Sequence, residues 1–114
     1  LLEAFVQRET LGSTALPRGI AFPHPRRPLP FATAEPLLAL ARVPAGIPFG
    51  APDGKLTDIF VLVCAQTDNL HLGLLARLSM MFSRGVADEL RETTKATEAV
   101  ALMIRTEAAL LASK

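Results

Sequence analysis

Tryptophan and tyrosine are absent from this chain, cysteine occurs once, at Cys64, and no proline follows Pro52. A lone cysteine cannot close a disulfide within the chain, which fits a reducing cytoplasm. No apolar run approaches the roughly 20 residues that a membrane-spanning helix needs. The best of them, Ile59 to Ala65, has the length of a strand. Neither sign of charge is in excess, with twelve Lys and Arg against eleven Asp and Glu. There is no basic tail and no interleaving of basic and aromatic residues, so nucleic acid is not expected as a direct ligand of the domain. A glycine-rich nucleotide cradle is missing. His24, Cys64 and His71 lack the short spacing of a zinc set, so no metal or cofactor is expected. Cys64 lies within the apolar strand run, where a thiol is usually inert rather than nucleophilic. No signal peptide is visible.

What is present is a well-patterned α/β sequence. Half of the 114 residues are hydrophobic, enough for one real core in one compact domain covering residues 1–114. All nine prolines lie between Pro17 and Pro52. That half is expected to be short extended pieces and turns, because proline removes a backbone donor and blocks helix interiors. Residues 1–9 read as the end of an amphipathic helix stopped near Gly12, and the chain start reads as a cut. Ile20 to Phe22 predict a short strand. Leu37 to Val43 predict a second, apolar enough to lie centrally, and Thr57 to Ala65 a third, apolar on both faces. Pro52-Asp53-Gly54-Lys55 has the chemistry of a turn. Leu70, Leu74, Leu75, Leu78, Met81 and Phe82 mark one face of a helix from Asp68 to Ser83, with Thr67 or Asp68 as its cap. Gly85 separates it from a short helix over Val86 to Glu92. A final helix opens at Thr97-Glu98, with Val100, Leu102, Met103, Ala108, Leu110 and Leu111 as buried candidates. Strands flanked by helices give an α/β class with one mixed central sheet.

The chemistry concentrates around the only two histidines. His24 sits in Arg18-Gly19-Ile20-Ala21-Phe22-Pro23-His24-Pro25-Arg26-Arg27, where an apolar strand delivers the ring to a rigid Pro-His-Pro corner among arginines. A stiffly held imidazole in a cationic neighbourhood suits receipt of a dianionic phosphoryl group; the plain alternative is a surface-loop histidine without a task. His71 falls in the first turn of the Asp68–Ser83 helix. The free N–H groups and positive dipole end there attract anions and disfavour imidazolium; the plain alternative is a helix-surface histidine. Arg8, at the end of the first helix, either satisfies that helix's last carbonyls or forms a guanidinium fork for phosphate oxygens. Ser13 and Thr14 either add hydroxyl donors beside it or make an ordinary turn.

Taken together, Arg8-Glu9-x-x-Gly12-Ser13-Thr14, Gly19-Ile20-Ala21-Phe22-Pro23-His24, Gly46-Ile47-x-Phe49-Gly50-Ala51-Pro52-Asp53-Gly54, and His71-Leu72 followed by Leu75-Ala76-x-Leu78 resemble the enzyme IIA domain of the bacterial phosphoenolpyruvate-dependent sugar phosphotransferase system. The fructose–mannitol class and its nitrogen-regulatory branch are the nearest types. The resemblance runs nearly end to end, with the motifs in order and the gaps between them fitting. It implies a mixed sheet flanked by helices and a cytoplasmic phosphohistidine carrier needing no cofactor. It further implies that His24 accepts the phosphoryl group from a histidine-containing phosphocarrier protein, that His71 supports that group, that Arg8 clamps its oxygens, and that Ser13 and Thr14 form the adjoining loop.

The chain departs from the family pattern in two places. Ala15-Leu16-Pro17-Arg18 stands where a glycine-rich turn is usual, and Pro25 stands where a small residue is common. The family's first strand and helical material, and any preceding module, are not seen before Leu1. The implied role is regulatory, with a downstream protein target or a sugar-transport IIB component as onward partner and a homodimer as a further possibility. The contrasting reading is a non-catalytic IIA-like sensor of a transcription regulator that docks a protein partner. Under a third reading the histidines are incidental to an α/β domain.

Overall fold

The computed structural model describes residues 2–30 and 34–112. The order of elements is α1 (Leu2–Leu11), β1 (Ala15–Leu16), β2 (Ile20–Ala21), β3 (Leu37–Ile47), β4 (Thr57–Cys64), α2 (Asp68–Ser83), α3 (Val86–Glu92) and α4 (Ala96–Ala112). The chain divides into two compact units, Leu1–Leu74 and Leu75–Lys114. The first holds the sheet, α1 and the first turns of α2.

The sheet has the order β1-β2-β4-β3. It is mixed, as expected: β1 pairs antiparallel with β2, β2 runs parallel to β4, and β3 is antiparallel to β4. Its centre is β4, where Ile59, Val61, Val63 and Cys64 are buried almost completely and Phe60 nearly so. A strand buried on both faces needs an unbroken apolar run, and Ile59 to Cys64 supplies one. Each such aliphatic side chain contributes about 1.5–3 kcal/mol by leaving water. Beside it, Ala15, Ala21 and Phe60 form a core cluster packed by Val43, Phe49, Ala51 and Leu62, with Phe49 and Phe60 edge-to-face at 5.1 Å.

Two expectations for the sheet change. A two-residue strand, β1, precedes β2, closing a hairpin in which Leu16 faces Ile20. Too short for a period-2 pattern, it left no signature in the sequence. The strand expected to lie centrally from Leu37 to Val43 is instead an edge strand, longer and more open. Leu37, Leu38 and Ile47 are 42%, 44% and 38% exposed. Hydropathy cannot separate a central from an edge strand, but Pro44 can: it lies within the register shift between Arg42 and Ile47, and proline is confined to edges and irregularities.

In the second unit, Gly85 at φ 88° turns the chain into α3, and α3 contacts α4. Arg77 and Glu107 form an ion pair at 3.0 Å. Leu78, Met81 and Phe82 of α2, Leu90 of α3, and Leu102 and Leu110 of α4 are buried. The helix bounds match the sequence reading within a residue, but the buried stripe of α4 is narrower than expected. Val100 and Leu111 are 52% and 43% exposed, because so short a partner as α3 covers only a narrow face.

Gly46 occupies the β3 irregularity at φ +77°, and a Cβ there would stand 2.7 Å from Leu56 Cβ. Gly46→Ala is expected to cost about 1–3 kcal/mol from left-handed strain alone, plus the clash. Gly54→Ala, at φ +73° with open space around it, carries only the strain. Urea midpoints should rank wild type, Gly54→Ala and Gly46→Ala in falling order.

Candidate functional site

Parallel pairing of β2 with β4, Ile20 against Ile59 and Ala21 against Phe60, makes both chains leave the sheet at the same end. The carboxyl ends of parallel strands are where open α/β sheets place ligands. From β2 the chain runs through Phe22 and Pro23 to His24. From β4 it runs through Ala65, Gln66 and Thr67 into α2 and His71. The strand pairing extends past the ladder, with Val63 N–H donating to Pro23 O at 2.9 Å and Leu29 N–H to Ala65 O at 3.0 Å. The segment around the Pro-His-Pro corner is thereby tied to β4 before His24 and to Ala65, just past β4, after it, and Phe22, Pro23 and Pro25 are buried.

The imidazoles of His24 and His71 meet, with ring centroids 4.8 Å apart and planes tilted by 56°. Both rings are half-buried. His24 Nδ1 lies 2.7 Å from Phe22 O. A carbonyl oxygen only accepts, so Nδ1 carries the proton, and in the neutral ring Nε2 holds the lone pair. Arg26 and Arg27, which follow Pro25, are exposed.

Thr67 caps α2 through its hydroxyl, which accepts Leu70 N–H at 3.2 Å, as a threonine at that position should. His71 N–H makes the first helical bond, to Thr67 O at 3.0 Å. Its ring is held below the ordinary imidazole pKa, first by burial and then by repulsion from His24, with Asp68 opposing. A neutral His71 can donate a hydrogen bond from one nitrogen without adding a fixed charge.

The remaining expected residues are arranged differently. Arg8 Nη1 donates to Gly12 O at 2.8 Å, so its hydrogen bond serves the end of α1. Ser13 Oγ donates to Phe49 O and accepts Ala15 N–H. Thr14 Oγ1 donates to one oxygen of Glu9, while the other accepts Thr14 N–H at 3.3 Å. Both hydroxyl protons are thus committed within the protein, and Thr14 is buried. Two carboxylates that the sequence reading left without a task organise this loop. Glu9 holds Thr14, and Asp53 accepts Arg18 N–H at 2.9 Å and Lys55 N–H at 3.1 Å. Those two bonds hold the Asp53 carboxyl below its ordinary range, Arg18 N–H contributing most. The anchor matters because Arg18 turns the β1–β2 hairpin at φ 72°, a conformation a non-glycine residue rarely adopts. Asp53 was legible only as a turn residue, and nothing local pairs Glu9 with Thr14.

The family profile described as "Phosphoenolpyruvate-dependent sugar phosphotransferase system, EIIA 2" matches residues 1–105. Among curated proteins, the chain is similar to a nitrogen regulatory protein of Pseudomonas aeruginosa, 38% identical over 100 residues, which cover 84% of this chain and 62% of that protein. Among solved structures, it is similar to nitrogen regulatory protein IIA-Ntr from Neisseria meningitidis, with a TM-score of 0.72 and 31% identity, covering 88% of this chain and 68% of that one. It also superposes on IIA mannitol from Escherichia coli with a TM-score of 0.73 and 22% identity, covering 89% of this chain and 72% of that one; this likeness bears on the fold.

Because its folded pKa is depressed, His71 binds a proton less readily in the folded chain than in the unfolded one, where imidazole titrates near 6.5. The unfolded state therefore gains protons first as pH falls. The contribution of His71 to stability is intact above about 6.5 and is lost as pH drops through that value toward the folded pKa. NMR titration should place the His71 inflection below 6.5, and His71→Gln should flatten that part of the stability–pH curve.

Proposed function

The chain belongs to the EIIA 2 family of the phosphoenolpyruvate-dependent sugar phosphotransferase system, and from that premise we propose that it is a phosphohistidine carrier in which His24 takes up a phosphoryl group and passes it on. The observation that carries this reading is the tautomer of His24. With Nδ1–H bound to Phe22 O, Nε2 keeps the lone pair of the neutral ring and is the nucleophile, on an imidazole that packs against His71. Attack by Nε2 on the phosphorus of a donor phosphohistidine forms one N–P bond as the donor's breaks. Each ring keeps the proton on its other nitrogen, so the exchange needs no separate acid or base. Positive charge then grows on the His24 ring, and the bond from Nδ1–H to the Phe22 carbonyl becomes charge-assisted.

Transfer through a metaphosphate-like transition state requires chiefly positioning and charge stabilisation. A neutral His71 supplies a hydrogen-bond donor to an equatorial oxygen. Arg8 supplies the clamp, exchanging Gly12 O for phosphate oxygens. Ser13 and Thr14 shape the loop between them. The donor is a histidine-containing phosphocarrier protein. The role is regulatory and cytoplasmic, supported by the likeness to nitrogen regulatory proteins. Among the described residues no helix is long and apolar enough to cross a membrane. The chain spans 62% of the length of the Pseudomonas relative, and its onward partner belongs to this proposal. The committed hydroxyls of Ser13 and Thr14 favour one competing reading, a IIA-like module that docks a partner without carrying phosphorus.

Incubation with phosphoenolpyruvate, the general phosphotransferase and the small phosphocarrier separates the two. Acid-labile label should appear on His24 and vanish in His24→Ala. His71→Ala should slow labelling by about 10²-fold or more, the usual cost of losing one preorganised donor to developing charge. A wild-type chain that takes no label would leave the docking reading in place.

A further inference from the structure

A chain of hydrogen bonds leads from the end of α1 to the imidazole of His24. Glu9 Oε1 accepts the Thr14 hydroxyl and Oε2 the Thr14 N–H. Thr14 O accepts Phe22 N–H at 3.3 Å. Phe22 O accepts His24 Nδ1–H at 2.7 Å. We propose that Glu9 is a positioning residue for His24, setting the tautomer and aim of the ring through Thr14 and the Phe22 backbone. This rests on reading His24 as the phosphoryl acceptor.

Three observations support it. First, Thr14 is buried and receives both oxygens of one carboxylate, which fixes the orientation of its backbone. A carboxylate accepting two donors is a stronger tether than a single neutral bond. Second, the tether adds to the bonds that β4 makes with this segment. β1 and β2 are two residues each, and so short a hairpin cannot define the path of Phe22 by its own ladder. The Thr14–Phe22 bond is its continuation toward the site. Third, α1 has committed its last turn to this loop. Arg8 bonds Gly12 O and Glu9 bonds Thr14, so consecutive residues grip consecutive parts of the same turn. Phosphorylation of His24 would draw Arg8 toward the phosphate, leaving Glu9 to hold the loop. In this scheme the two neighbours divide the work: the arginine moves with the cargo and the glutamate keeps the acceptor aligned. With both oxygens bonded to Thr14, Glu9 acts on alignment and not on binding.

The test uses ¹⁵N spectra of the histidine ring, which need no phosphoryl donor, alongside labelling kinetics. Wild type should show His24 with its proton on Nδ1. Glu9→Ala and Thr14→Val should populate the Nε2–H tautomer and lower the labelling rate on the order of 10-fold to 10²-fold, with KM for the phosphocarrier unchanged. Glu9→Gln keeps an acceptor for the hydroxyl but not for the amide, and should fall between. Thr14→Ser, which restores the hydroxyl, should restore the Nδ1–H signal. If Glu9→Ala fails to fold, Glu9→Gln and Thr14→Val give the same readings. Folded Glu9 variants with a wild-type tautomer and rate would overturn the proposal, as would a Thr14→Ser spectrum matching that of Thr14→Val. Absence of label on the wild-type chain would instead reject the carrier reading, and the ring spectra would still report whether Glu9 sets the tautomer.

Discussion

Between β2 and β4 only two residue pairs lie in register, Ile20 with Ile59 and Ala21 with Phe60, yet the site is organised around that short parallel contact. Because the strands run the same way, Phe22-Pro23-His24 and Ala65-Gln66-Thr67 emerge together. An antiparallel pair would send the two loops to opposite ends of the sheet. Bonds from Val63 N–H to Pro23 O and from Leu29 N–H to Ala65 O carry the alignment past the strands. Near-complete burial of Ile59, Val61 and Val63 anchors β4. The apolar effect thus sets the frame, and hydrogen bonds at its edge set the aim.

Two imidazoles in contact, 4.8 Å apart by centroid, create an electrostatic constraint. Both cannot be charged cheaply at that distance. Burial and the neighbouring His24 together depress protonation of His71. On the proposed reading, a neutral His71 would favour developing charge on a phosphoryl group without holding it so firmly that it cannot leave. Permanent positive charge follows the Pro-His-Pro corner on the exposed Arg26 and Arg27.

Around this pair carboxylates help to fix the loops. Asp53 tethers the Arg18 turn through backbone N–H groups, and Glu9 tethers Thr14. This answers the departure noted in the sequence, where Ala15-Leu16-Pro17-Arg18 replaces a glycine-rich turn. The left-handed conformation that glycine adopts readily is here imposed on Arg18 (φ 72°) while Asp53 accepts its amide. The cost of placing a side chain at such an angle is of order 1–3 kcal/mol, and the bond from Arg18 N–H to Asp53 helps to offset it.

The sequence by itself determined the α/β class, the helix bounds from Asp68 to Ser83 and from Val86 to Glu92, the buried run in β4, and the pairing of His24 with His71 as the residues to watch. Those features are local: a 3.6-residue apolar period, a glycine stop, an uninterrupted strand, an imidazole between prolines. Tertiary structure alone decided that β3 lies at the sheet edge, that a two-residue β1 exists, that Ser13 and Thr14 spend their hydroxyl protons on Phe49 and Glu9, and that Arg8 rests on Gly12 O. Each of these depends on which backbone group another segment brings within about 3 Å. A one-dimensional pattern records which side chains prefer to leave water. It does not record which polar group will be waiting when they do.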